Sequence, residues 1–283
     1  MAASWLRVVA IGLALVVGLS GAMAQPMGKK AQQAAHRFAL NNALFVLYHE
    51  AGHLLIDQLR LPILGREEDA ADNIATWIML RAGTAESHAA LADAAYGWLL
   101  SGQAYTNDFR NDDFYSSHSL DQQRAFQIVC HMVGRDNRAF RLVASAYGMA
   151  RPRQESCVWD WHLVDRSMRD LIRSHVGLKG SPGEITVRYE DVTGRLHHPA
   201  SIFRESGIFE RVAEEIRRNY PLRRDVSFNA KRCGESNAFY DPETIEIIFC
   251  YELMQEYIDL AAKEMETKGN FDLGPGGSSR MGR

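Results

Sequence analysis

Residues 28–59 carry the pattern that most restricts the fold of this chain. Phe38, Phe45, Val46, His49, Gly52, His53 and Ile56 recur at three- and four-residue steps, the period of one face of an α-helix. That face is apolar except at His49 and His53, and Glu50 stands beside them. A polar side chain on a face turned to the interior needs a partner to offset its desolvation. The helix must therefore meet a structure that supplies one. Leu61-Pro62-Ile63-Leu64-Gly65 ends it with Pro and Gly.

The next segments continue in helical period. A second helix is expected from about Glu67 to Arg81, with Ala71, Ile74, Ala75 and Ile78 on its buried face, and a third from about Glu86 to Leu100. Gly102 to Ser117 is polar and irregular, a composition suited to the border of a site. Ser119-Leu120-Asp121-Gln122 resembles a capping box that would open a helix at Leu120. Helical pattern then runs to about His175, with breaks expected near Gly134 and Pro152. Lys179-Gly180-Ser181-Pro182-Gly183 reads as a linker, and the character changes beyond it. Ile185–Tyr189 alternates as a strand, 202–218 reads as one amphipathic helix, and Val226–Phe228 as a strand. Asn237–Tyr240 and Ile245–Cys250 form a hairpin about Asp241-Pro242, and Tyr251–Met265 closes as a helix. The whole is α+β: a helical half over 25–178 and a mixed half over 184–268.

The ends read differently. Arg7 precedes a 12-residue apolar run, Val8–Leu19, and Ala22-Met23-Ala24 follows, so residues 1–24 are expected to be a signal peptide cleaved before Gln25. Residues 269–283 are rich in Gly and Ser with no apolar period and are expected to be disordered. No other run is long and apolar enough to span a bilayer, so no stable membrane insertion is expected after signal removal. Net charge is −3 with both signs interleaved, which argues against nucleic acid as the main partner. After a signal peptide, the four cysteines fit two disulfides in an oxidising compartment, secreted or periplasmic. Pairing within each half favours Cys130–Cys157 and Cys233–Cys250.

The chemistry concentrates in His49-Glu50-Ala51-Gly52-His53. Imidazoles four residues apart on a helix can grip one Zn2+ ion, with Glu50 placed to take a proton from the water that the ion acidifies. Gly52 leaves room for a neighbouring element against that face. A third ligand is wanted. Glu68 falls on the same side as Ala71, Ala75 and Ile78 and would point inward. Asp72, one turn on, is placed to accept the second ring N–H of a ligand histidine. Glu67 and Asp69 lean outward, as first-turn acids favoured by the helix dipole. Glu67 and Asp72 remain alternative ligands.

His49-Glu50-x-x-His53 followed by Glu68-x-x-Ala71-Asp72 resembles the gluzincin branch of zincin metallopeptidases. That resemblance implies a zincin-like fold, a peptide or protein substrate, zinc on His49, His53 and Glu68, Glu50 as base, and Asp72 behind a ligand. The 14 residues between His53 and Glu68 are fewer than in thermolysin-like members. The 18 between His53 and Asp72 come closer to the aminopeptidase-like spacing, which leaves Glu68 and Asp72 both open as third ligand. Downstream, Asn237-Ala238-Phe239-Tyr240 before Pro242 and a strand is similar to the segment of neprilysin-like peptidases that holds substrate backbone by β-augmentation, which implies substrate contact at Asn237 and Ala238. Here that segment follows the histidine helix, as a permuted order would have it. The chain as a whole resembles a bacterial family of envelope metallopeptidases without assigned substrate. His118 is the expected oxyanion stabiliser, with Arg124 and Tyr240 as alternatives; His197 and His198 read as solvated. The competing functions are a zincin-fold protein that binds metal or a partner without turnover, and a zinc amidase acting on cell-wall crosslinks.

Overall fold

The computed structural model describes residues 27–103, 109–173 and 183–268. The expected signal peptide, the tail over 269–283 and residues 179–182 of the expected linker lie outside the described residues.

The helical half holds α1 (Lys29–Leu59), α2 (Glu67–Ala82), α3 (Ala85–Gln103), the short α4 (Asn111–Tyr115), α5 (Asp121–Arg135), α6 (Asn137–Ala146) and α7 (Arg151–Arg173). α1 stops where Arg60 turns left-handed at φ 52° and returns its N–H to the carbonyl of Asp57, just before Pro62 forbids another turn. α2 opens on Glu67, Glu68 and Asp69, whose charges suit the positive end of a helix, and closes on Gly83 at φ 63°.

One local expectation is corrected, and two expected breaks fall within a few residues of their places. Ser119 does not cap α5: the cap position is Leu120, whose N–H is accepted by Gln123 Oε1 at 3.1 Å. The break expected near Gly134 comes two residues on, at Asp136, whose carboxylate caps α6 by accepting the Ala139 N–H at 3.0 Å. The break expected near Pro152 lies between Ala146 and Arg151, and Pro152 sits in the first turn of α7, where its missing N–H has no helical partner to lose.

Gly134 has a different reason to be glycine. A Cβ there would fall 2.2 Å from the carbonyl oxygen of Cys157 on α7. The Cys130–Cys157 disulfide, with Cα atoms 5.2 Å apart, clamps the same crossing. Alanine at 134 gains about 1 kcal/mol of helix propensity, yet it must push apart two backbones that the disulfide holds together. The expected net result for Gly134→Ala is a loss of about 1–3 kcal/mol, measured by urea denaturation; a more stable variant would refute the close-packing explanation.

The mixed half contains β1 (Ile185–Tyr189), α8 (His197–Ser206), α9 (Ile208–Asn219), β2 (Val226–Lys231), β3 (Ala238–Asp241), β4 (Glu246–Cys250) and α10 (Tyr251–Lys268). The helix expected over 202–218 is two helices, because Gly207 at φ 64° turns the chain between them. The sheet order is β1-β2-β4-β3. β1, β2 and β4 are parallel, while β3 returns antiparallel on β4 with Ala238 opposite Phe249. Asp241 Oδ1 accepts the Glu243 N–H at 2.8 Å to tighten that hairpin, and Cys233–Cys250 pins it. Both disulfides pair as expected. Phe203 stacks on Phe249 with centroids 4.1 Å apart, and Phe209 meets Phe228, so α8 and α9 seal against the sheet.

The chain is thus α+β, helical first and mixed second, and one cluster of buried apolar residues runs through both halves. α1 is its axis, packing against α2, α3, α10 and the edge strand β3. No helix among the described residues is long and apolar enough to cross a membrane.

Candidate metal centre

His49, Glu50 and His53 project from the C-terminal half of α1; His49 and Glu50 are buried and His53 is half-buried. α2 crosses that point closely. A Cβ on Gly52 would meet Ala71 Cα at 3.0 Å and Ala71 O at 3.1 Å, so the glycine sets the approach of the two helices. Glu68 lies three residues before Ala71, on the same side of α2, and this approach carries its carboxylate to the histidines. His49 Nε2 is 3.2 Å from Glu68 Oε2 and 3.2 Å from His53 Nε2, and His53 Nε2 is 3.3 Å from the same Glu68 oxygen.

The other ring nitrogens define the protonation of this triangle. His49 Nδ1 lies 2.8 Å from Asp72 Oδ1, and His53 Nδ1 lies 2.8 Å from Glu67 Oε1. A carboxylate only accepts, so each Nδ1 carries the N–H. In neutral rings both Nε2 atoms then present lone pairs, facing each other and a carboxylate oxygen. Three acceptors at this separation need a positive charge among them, either a ring proton or a metal ion. Their spacing suits the ion: donors 2.0 Å from a tetrahedral centre stand about 3.3 Å from one another.

The electrostatics agree. Burial alone would push the His49 imidazole down, but hydrogen bonds to Asp72 and Glu68 outweigh it and raise its pKa to about 9. Burial opposes ionisation of Glu68 too, and His118, His49 and His53 hold that carboxyl well below the usual range. Glu50, only 5% exposed, is raised chiefly by burial, opposed by the two histidines and by the backbone N–H of Tyr240.

Asp72 is held in turn. Arg124 on α5 donates from Nε to Asp72 Oδ2 at 2.7 Å and from Nη2 to Oδ1 at 2.8 Å. The guanidinium lies 3.6 Å over the Trp98 ring of α3. Four helices therefore meet in the line Trp98–Arg124–Asp72–His49. Arg124 is spent on Asp72, and Tyr240 donates its hydroxyl to Asp57 Oδ2 at 2.7 Å. His118, on the loop before α5, reaches the triangle instead, with Nε2 2.8 Å from Glu68 Oε2. Arg66 ties that loop by donating to His118 O at 3.4 Å and to Ser119 Oγ at 3.3 Å.

Two cavities flank the triangle, and β3 runs along both. One, of about 230 Å³, is walled by His49, Glu50, Trp98, Asn237, Ala238 and Leu253. The other is walled by His53, Glu68, Ser117, Phe239, Tyr240 and Pro242. Asn237 Oδ1 accepts the Ala238 N–H at 2.9 Å at the entry to the strand.

The sequence profile of a family described as "Putative metallopeptidase" (DUF4344) matches residues 10–172 and 189–273. The chain belongs to that family. No curated protein and no solved structure matches it. Membership in a metallopeptidase family implies a metal ion and a peptide or protein as substrate. Among the described residues two groupings of donors are close enough to share an ion by mutual distance. Cys130, Cys157 and Asp160 are one, but both sulfurs are consumed in a disulfide. His49, Glu68 and His118 are the other, and they belong to the centre already described.

Sequence reasoning named two members in other roles. Glu67 does not lean away; its long side chain folds back to His53 although its Cα sits on the exposed side of α2. Arg124, named only as an alternative oxyanion stabiliser, is instead the partner of Asp72. An acid at 72 on a buried helix face demands a buried cation, but nothing local names a residue 52 positions away. His197 and His198 open α8 and are exposed, as expected; His198 meets the His36 ring edge-on at 5.2 Å.

Proposed function

We propose that the protein is a zinc peptidase in which His49, His53 and Glu68 hold the ion and Glu50 moves the proton. The convergence of three lone-pair donors, each imidazole locked in one tautomer by a carboxylate behind it, carries this reading. Held by His49, His53 and Glu68, zinc would supply Lewis acidity for activating a water and polarising a carbonyl. Glu50, raised by burial and sited next to His49, takes the proton of the attacking water and delivers it to the leaving amine. Asp72 keeps His49 in the tautomer that presents Nε2, Arg124 keeps Asp72 ionised, and Glu67 does for His53 what Asp72 does for His49. An extended peptide lying between the two cavities would run along the outer edge of β3 at Asn237 and Ala238, displacing the Asn237 side chain from the Ala238 N–H that it holds. His118, on the open side, donates to the carbonyl oxygen as it gains charge.

The zincin-like reading of the fold has the same support: the histidine helix, the glutamate helix and an antiparallel edge strand beside them, with the strand later in the chain as a permuted order requires. Two disulfides are compatible with the secreted or periplasmic location expected from residues 1–24.

The deciding experiment is the metal content of the chain from Gln25 onward, purified without chelator, beside its Glu68→Ala variant. About one zinc per chain, lost or much reduced in the variant, is expected. An absence of zinc in the parent even after reconstitution would remove the peptidase reading. A panel of peptides and muropeptides then separates peptide-bond hydrolysis from action on cell-wall crosslinks.

A further inference from the structure

We propose that His118 is a fourth protein ligand in the resting enzyme, so that the centre is closed until His118 leaves it. The inference rests on the three-ligand reading above and adds to it a latent state. A catalytic zinc site keeps one position open for water or substrate, whereas a site with four protein ligands is closed. Here a third imidazole already stands at the triangle. His118 Nε2 is 2.8 Å from Glu68 Oε2, and its donor atom lies within 4.8 Å of those of both Glu68 and His49; His53 is not part of that grouping, so four-ligand closure draws the His118 ring towards His53. Its ring is nearly parallel to that of His49, 22° between planes and 6.3 Å between centroids. Against the Glu68 carboxylate alone His118 Nε2 carries the N–H, since a carboxylate only accepts; with an ion between them, Ser117 Oγ, 3.2 Å from Nδ1, can take the N–H and leave Nε2 as the lone-pair donor.

The surroundings of His118 suit a ligand that can depart. His49 and Glu68 stand on long helices, and His49 is buried. His118 stands on a loop, its side chain 43% exposed, held by the long Arg66 contacts and by its own N–H to Ser116 Oγ at 3.2 Å. Exchange of this imidazole for water would break one metal–nitrogen bond and form one metal–oxygen bond, with no change of oxidation state. Displaced by a short loop movement, the same ring lies at the rim of the cleft, where it can donate to the substrate carbonyl.

The test uses the chain from Gln25 onward loaded with Co2+, whose visible spectrum reports the ligand shell, in wild type, His118→Ala and His53→Ala. The expected result has three parts. His118→Ala binds cobalt with an altered spectrum and an affinity, by chelator competition, at least about tenfold weaker, since losing a ligand costs no less than losing a partner behind one. Azide shifts the spectrum of His118→Ala at concentrations that leave wild type unchanged, because only the variant has an open position. His53→Ala binds cobalt far more weakly than either. If wild type responds to azide as His118→Ala does, His118 is only a hydrogen-bond donor to Glu68 and the proposal is overturned, while the three-ligand centre stands. If wild type binds no metal, both readings fall.

Discussion

Glu50→Gln is expected to lower peptide turnover by about 10²–10⁴-fold, the usual contribution of a positioned general base, while metal content stays at the wild-type level. Glutamine has nearly the same shape but cannot take a proton from water at neutral pH. Glu50 is not among the three converging donors, so the triangle keeps its geometry. Folding is not expected to suffer, since Glu50 is buried and burial is the main cause of its raised pKa; a neutral amide is easier to bury than a carboxylate. Two measurements on one preparation decide it: turnover of a peptide and metal per chain. Full activity in the variant would eliminate Glu50 as the base. Loss of metal along with activity would mean that Glu50 belongs to the ligand set.

Asp72→Ala is expected to be the most damaging single change to stability, at about 3–5 kcal/mol, because it strands the buried charge of Arg124. Both side chains of the pair are under a tenth exposed, and the two hydrogen bonds between them are short. Burial opposes the ionisation of Asp72, but Arg124, with help from His49, holds its carboxyl below the usual range, so the ion pair is intact at neutral pH. The variant also frees the Nδ1 of His49, and metal affinity is expected to fall by roughly 10–100-fold. Urea denaturation measures the first effect and chelator competition the second. A stability loss under about 1 kcal/mol would mean that Arg124 finds another partner, and the ion pair would lose its place in the argument.

The sequence by itself determined the helices that carry the centre and the relation of residues within each. His49 and His53 share a face because four residues are one turn, and Glu68, Ala71 and Asp72 share one on α2 for the same reason. The apolar stripes and the Pro and Gly stops bound α1, α2 and α3 to within a few residues, and alternation placed β1. These are local consequences of backbone geometry, and they are written in adjacent residues. Pairing the cysteines within each half followed as well, since each pair is close along the chain.

Only the tertiary structure decided what faces what across the gaps. Gly52 against Ala71 brings Glu68, and not Asp72, to the point where the two Nε2 atoms meet, and it leaves Asp72 behind His49. The same approach folds the exposed Glu67 onto His53, against its helical phase. Arg124 and Trp98 enter because α5 and α3 pack on each other and on α2, and His118 enters with the loop that leads into α5. Periodicity is blind to such pairings: it gives the direction a side chain takes from its own helix, whereas a contact depends on where a second helix lies, which is set by the packing of the whole core.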